Sequence, residues 1–208
     1  LIARSLTQSA GQGTTLLTGA VNTDTGTGVA LTTSAITANN TITTTNAGTV
    51  TFSNAGLLTL NGNITSDGAV TQNGAGAVTI TAPRTITTTG DAVSFATNVT
   101  LNGGTGGLVS IDTTSGSAAG ANVTFSGTLN ATTAGANAEK LTLNAGTGGN
   151  VLFTGAVGGG TRLGDVTITN ANDVTESAGL IARSLTQSAG QGTTLLTGAG
   201  DKDTGTGG

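Results

Sequence analysis

The sequence predicts an all-β chain wound as a parallel β-helix solenoid, and three observations carry that reading. Short runs of alternating apolar and small polar residues follow one another from end to end. Turn-forming residues separate them every few positions, while large side chains are almost missing: there is no Trp, Tyr or Met, and only four Phe. Finally, the opening twenty letters, LIARSLTQSAGQGTTLLTGA, return unchanged at residues 180–199, offset by 179.

In chain order the alternating runs are VALTT at 29, TVTFS at 49, AVTIT at 77, AVSFA at 92 and LVSID at 108. NVTFS at 122, KLTLN at 140, NVLFT at 150 and DVTIT at 165 complete the set. Each places apolar residues at i and i+2, the period of a strand with one buried face. Val, Ile and Thr suit such a pleated surface. No 3.6-residue apolar stripe marks a helix. A second inward aliphatic follows many runs across a polar corner: Val93 and Val99, Val123 and Leu129, and Val151 and Val157 stand six apart. Val50 and Leu58, Val78 and Ile86, and Val166 and Val174 stand eight apart. LLTGAV at 16–21 also resembles LFTGAV at 152–157.

Antiparallel β-sandwich repeats are the alternative. Asn61-Gly62, Asp67-Gly68, Asn73-Gly74 and Asn102-Gly103 are the dipeptides that close tight hairpins. A sandwich, however, needs bulky residues to fill a slab ~10 Å thick. A solenoid lays the Val, Ile or Leu of each coil on the coil below and tolerates Gly, Asn and Thr at its corners. The parallel solenoid is therefore preferred, with a fine repeat of ~20 residues.

A solenoid has no natural length, which explains the duplication. Residues 1–28 and 180–207 match at 25 of 28 positions, differing at Val21, Asn22 and Thr23 against Gly200, Asp201 and Lys202. The expected organisation is one continuous solenoid over 1–208, with 1–179 one long unit and 180–208 the start of its next copy. No cap is visible at either extremity, and exposed strand edges can template addition of another chain. The expected partner is therefore the chain itself, through tandem copies in a longer polypeptide or by end-to-end stacking. A chain that opens on Leu1 is expected to be processed or to be a stretch of something longer.

Composition excludes several classes. Leu, Ile, Val and Phe number 45 of 208 residues, but the net charge is only −4, so self-repulsion gives no reason for disorder. Six basic residues (Arg4, Arg84, Lys140, Arg162, Arg183 and Lys202) stand singly, leaving no footprint for nucleic acid. No run of eighteen apolar residues is long enough to insert in a membrane as a helix. The absence of cysteine rules out disulfides and thiolate metal sites and fits an extracellular bacterial chain.

Stretches such as GTVTFSNAGLLTLNGNITSDGAVTQNGAGAVTIT and GDAVSFATNVTLNG resemble the strand-repeat regions of filamentous haemagglutinin-like adhesins and related giant bacterial surface proteins. The resemblance covers essentially the whole chain and lies in a Val-Thr-Ile/Phe rhythm with Asn-Gly corners. It implies a right-handed β-helix exported to the cell surface, acting as a fibre or stalk in adhesion or cell contact. Neither the secretion-signalling domain nor a binding tip of that family is recognisable here.

Several candidate sites compete with this reading. Sugar hydrolysis wants two carboxylates facing one groove. Asp67, Asp91, Asp112, Glu139 and Asp165 stand alone, and the nearest sets are Asp173 with Glu176 and Asp201 with Asp203. Without His or Tyr, a general base would fall to Lys, Arg or a carboxylate. NTDTGTG at 22–28 and DKDTGTG at 201–207 offer oxygen ligands for calcium, yet neither the repeats-in-toxin nonapeptide nor the EF-hand pattern occurs. TITTT at 41–45 and 85–89, with Thr49/Thr51 and Thr167/Thr169, suggests ice-binding Thr arrays, but the spacing is uneven. Sequons begin at Asn39, Asn63, Asn98, Asn122 and Asn130. Gly158–Gly160 with Arg162 lacks the Lys-Ser/Thr of a phosphate loop. Asn39, Asn54, Asn144 and Asn170 are expected to stack as amide ladders between coils. No catalytic, cofactor or metal site is expected. A glycan- or cell-binding module is the competing class, with an ice-binding Thr-array protein or a β-helical polysaccharide-degrading enzyme behind it.

Overall fold

The structure, a computed structural model, describes residues 1–198. Strands pair across three faces, and every pairing is parallel; faces A and B hold nine strands each and face C six. The chain visits the faces in rotation. Val21–Thr23 lies on A, Val29–Thr33 on B and Ala35–Ala38 on C, after which Ile42–Thr44 returns to A and pairs with Val21–Thr23. Nine such coils stack into a β-solenoid. In the last coils face C narrows to single bridges, Leu129 to Val157 and Val157 to Leu180. The antiparallel alternative is thereby excluded. Asn61-Gly62 turns the corner between Leu58–Leu60 on C and Ile64–Ser66 on A instead of closing a hairpin.

The inward residues form columns along the axis, because parallel pairing in register puts like on like. On face A, Ile64 sits between Ile42 and Ile86. Each pair spaced six or eight apart falls on consecutive faces, and Val50, Leu58, Val123, Leu129, Val166 and Val174 are all buried. One column on face B collects every aromatic residue of the chain. Phe52, Gln72, Phe95, Phe125, Phe153 and Glu176 lie in direct register. The rings of Phe95 and Phe125 stack with centroids 5.4 Å apart, and those of Phe125 and Phe153 at 5.6 Å. Stacked pairs of this kind contribute about 0.5–1.5 kcal/mol beyond their buried area.

Polar residues inside the wall, Thr23 excepted, find their partners at corners. Gln72 Nε2 donates to Asn54 Oδ1 at 2.9 Å and to the Gly74 carbonyl at 2.8 Å, while its Oε1 accepts from the Ala96 N–H at 3.1 Å. Thr44 and Ser66 share the Gly48 carbonyl. A buried polar atom left unpaired would cost about 1–3 kcal/mol, so these bonds are what permits polar residues in the column. Backbone crowding sets some corners: Gly28 has φ +57°, and a Cβ there would run into the backbone of Thr49 one coil on. Outside the strands, one 3-10 turn, Gly135–Asn137, interrupts a loop.

Coil length varies while the core does not. Val50 and Val70 pair across one coil of twenty residues, whereas Val93 and Val123 pair across thirty. The surplus goes to two corners. Residues 103–107, 132–139 and 158–162 bulge where face C turns into face A, and 114–122 and 145–150 where A turns into B.

Candidate functional site

Four of the described acids, Asp67, Asp112, Asp173 and Glu176, are each tied by hydrogen bonds of their own. Asp67 receives the Ala47 N–H at 2.8 Å and the Thr89 hydroxyl, which hold its carboxyl below the usual range. Asp112 caps its own corner through the Thr114 N–H and hydroxyl. Asp173 points outward and accepts the Thr193 N–H at 2.7 Å, whereas Glu176 is buried and accepts N–H groups from Ala178, Gly179 and Gly198. Three residues apart, these two serve opposite sides of one wall. Among the described residues, no three Asp or Glu side chains lie close enough to share a cation. Asp201, Asp203 and the DKDTGTG segment at 201–207 lie outside the described residues.

Glu139 was legible only as an isolated acid, yet it is fully buried. Its carboxylate accepts the N–H groups of Gly103, Gly104, Thr132 and Thr133 and the hydroxyls of Thr132 and Thr133, all at 2.8–3.1 Å. Burial pulls its pKa upward, but the N–H groups of Thr133 and Gly104 and the Thr132 hydroxyl outweigh that and bring it down to about 2. This saturated carboxylate ties the two bulged loops together. It has no proton to give near neutral pH.

Asp165 lies on the outside of face A and is held bidentately by the Arg183 guanidinium, Nε at 2.7 Å, with the Ser184 hydroxyl at 2.7 Å and Lys140 Nζ at 3.9 Å. Arg183 is the main cause of its pKa falling to about 2. The NTDTGTG stretch runs off a face-A strand into a corner: Asn46 Nδ2 donates to the Asp24 carbonyl and the Thr25 hydroxyl to the Arg4 carbonyl, both at 2.8 Å.

Threonines outside the wall fall in single file. Thr37, Thr59, Thr79 and Thr100 are in register along face C, and Thr43, Thr65 and Thr87 along face A until Asp112 ends the column. The TITTT runs therefore sit two coils apart on one face, with Thr65 between them. The amide ladder differs from expectation. Asn61 does donate to Asn39 at 2.8 Å, but Asn54 is buried inside and bonds the corner carbonyls of Gly56 and Gly76. Asn144 and Asn170 are in register, yet the Asn144 amide turns to Thr114 instead. A longer chain of such contacts runs elsewhere: Asn122 Oδ1 accepts the Asn150 N–H and Asn150 Oδ1 the Asn172 amide. Asn63, Asn98 and Asn130 likewise accept an N–H from the next coil. The Asn residues that read as sequons are thus coil-to-coil ties. The Gly158–Gly160 corner is one of these joints, where Gly160 donates to Asn130 Oδ1 at 2.8 Å; Arg162 beside it is half-buried.

What the surface offers is three long faces on which Thr predominates, a charged cluster of Lys140, Asp165 and Arg183 on face A, and two looped corners. All four Phe are inside, and the exposed large apolar residues, among them Leu57 and Leu108, stand apart from one another apart from those of the terminal coils. Comparisons with protein-family models, with curated proteins and with solved structures give no match. The fold fits a structural repeat module.

Proposed function

We propose that this chain is a structural segment of an extracellular bacterial surface fibre or adhesin stalk, whose work is to span distance and not to catalyse. One observation carries the reading. Residues 180–198, the second copy of the opening segment, seat as one further coil on the end of the unit, with Val166 paired to Leu185 and Val174 to Thr194. A new copy thus continues the rod of the old one.

Parallel strands sit ~4.8 Å apart, so nine coils make a rod of roughly 40 Å, and tandem units would lengthen it without a new kind of contact. The resemblance to haemagglutinin-like adhesins supports the surface location. The partner in this reading is another copy of the unit, in the same polypeptide or stacked on its end. Electron microscopy of the native material with denaturing mass measurement tests it. Fibres made of chains many times longer than 208 residues support tandem units, and fibres that dissolve to short chains support stacking. Compact particles would overturn the reading in favour of a glycan- or cell-binding module.

A further inference from the structure

From Leu6 onward the repeated segment lies on different faces in its two copies. Leu6–Gln8 lies on face B, where Leu6 pairs with Val29; its counterpart Leu185 lies on face A, paired with Val166. Thr14–Leu17 lies on face C, but Thr194–Leu196 lies on face B. Local geometry is nonetheless preserved. The Thr15 hydroxyl donates to Gln8 Oε1 at 2.5 Å and the Thr194 hydroxyl to Gln187 Oε1 at 2.6 Å. The strand–corner–strand segment is a portable piece, indifferent to which corner of the triangle it turns. LLTGAV and LFTGAV behave alike: Leu17 to Val21 crosses from C to A, while Phe153 to Val157 crosses from B to C.

The copies part company at one place. In the first, Ile2–Ala3 lies on face A and the chain bends at Arg4, whose carbonyl accepts the Asp24 N–H at 3.2 Å and the Thr25 hydroxyl. In the second, Ala182–Gln187 runs straight along face A as one strand of six residues. The cause lies beneath it. Leu163–Asn170 is an eight-residue strand, paired from Leu163↔Ala182 to Ile168↔Gln187, and its Asp165 grips both Arg183 and Ser184. Among the described residues Ile2–Ala3 pairs on one side alone, with Val21–Thr23.

We infer that consecutive 179-residue units meet one third of a turn out of phase. The inference rests on the tandem reading, in which every later opening segment sits on a Leu163–Asn170 strand and is held straight by it. One corner is lost at each joint, so a unit advances one face short of eight turns. The looped corner between faces C and A, built from 103–107, 132–139 and 158–162, then points in three directions in succession. It recurs every ~37 Å along the axis at ~4.8 Å per coil, and only the fourth unit repeats the first. The recognition surface at the joint is Asp165 with the outer edge of Leu163–Asn170, and its partner is the Arg-Ser pair of the next unit's opening segment.

Disulfide trapping tests this in the full chain, which has no cysteine of its own. Outward residues in register on adjacent parallel strands are ~4.8 Å apart at Cα, inside the range a disulfide bridges. Ser94→Cys with Thr124→Cys, in register on face B, reports an intact solenoid. Thr167→Cys with Thr186→Cys is expected to close to a similar yield. Thr175→Cys with Thr186→Cys is expected to stay open, because Thr175 is occupied by Leu195. Closure of the 175–186 pair instead would mean a bent joint and units in phase, overturning the rotation while leaving the stacked rod intact. If neither closes although the control does, the second copy is not seated as the next coil, and the tandem reading falls with the rotation.

Discussion

Replacing Phe125 with Ala tests the column that organises the core. Phe125 is buried between Phe95 at 5.4 Å and Phe153 at 5.6 Å, with interplanar angles of 20° and 13°. Phe→Ala in a core costs about 3–5 kcal/mol, depending on how far the neighbours collapse into the void. Here both neighbouring rings are fixed by the register of their own coils, Phe95↔Phe125 and Phe125↔Phe153, so collapse is small. The expected cost is about 4 kcal/mol, or roughly a thousandfold in a local opening equilibrium. Because a solenoid is held by nearest neighbours, the loss should be local. Native-state amide exchange would read it directly. Val93–Phe95, Val123–Phe125 and Val151–Phe153 should exchange far faster, while Val29–Thr33 changes little. Thr124→Ala, on the outer side of the same strand, should stay within about 0.5 kcal/mol of wild type. A Phe125→Ala cost below about 1.5 kcal/mol, or equal acceleration in Val29–Thr33, would refute the argument.

Val123→Asp places a carboxylate at a fully buried position of the same strand; unfolding should move by more than about 3 kcal/mol, read as a large fall in the denaturant midpoint. Glu139 is lowered from 4.5 to about 2 in the fold. A depressed acid stabilises above its unfolded pKa and loses that stability as pH falls through the folded one. Wild type should therefore shed up to about 3 kcal/mol between pH ~5 and ~2, and Glu139→Gln should flatten that part of the curve in acid titration followed by circular dichroism. Gly28→Ala forces a Cβ against Thr49 at φ +57° and should cost about 1–3 kcal/mol by thermal unfolding, where Gly13→Ala, in open space, should cost little. Asn98→Ala removes the acceptor of the Thr128 N–H and should lower stability by about 1 kcal/mol in urea titration.

The strands that are legible are those with two apolar residues bracketing one polar residue, such as Val50–Asn54 and Leu108–Asp112. Ile64–Ser66 and Val70–Gln72 are not legible as strands because their second inward residue is polar, and only the corner carbonyls that satisfy Ser66 and Gln72 explain it. Glu139 could not be singled out, since its partners are N–H groups that no side-chain pattern reveals. Asn39 and Asn54 look alike in sequence, but one is exposed at a corner and the other is inside. The opening segment is the sharpest limit. One sequence adopts a bent and a straight course, and the strand beside it decides which, so no reading of the segment alone could choose.

Hydrogen bonds between coils run along the length of the rod. A pull on its two ends therefore loads one coil's bonds at a time, like opening a zip, and not all rows together as in a sheared sheet. Each released coil of twenty to thirty residues, the spans between Val50 and Val70 and between Val93 and Val123, would yield about 70–100 Å of slack. A tether built this way gives ground in small steps and can rewind between them. In single-molecule extension it should show a staircase of such steps; one cooperative rupture of the whole rod would contradict it.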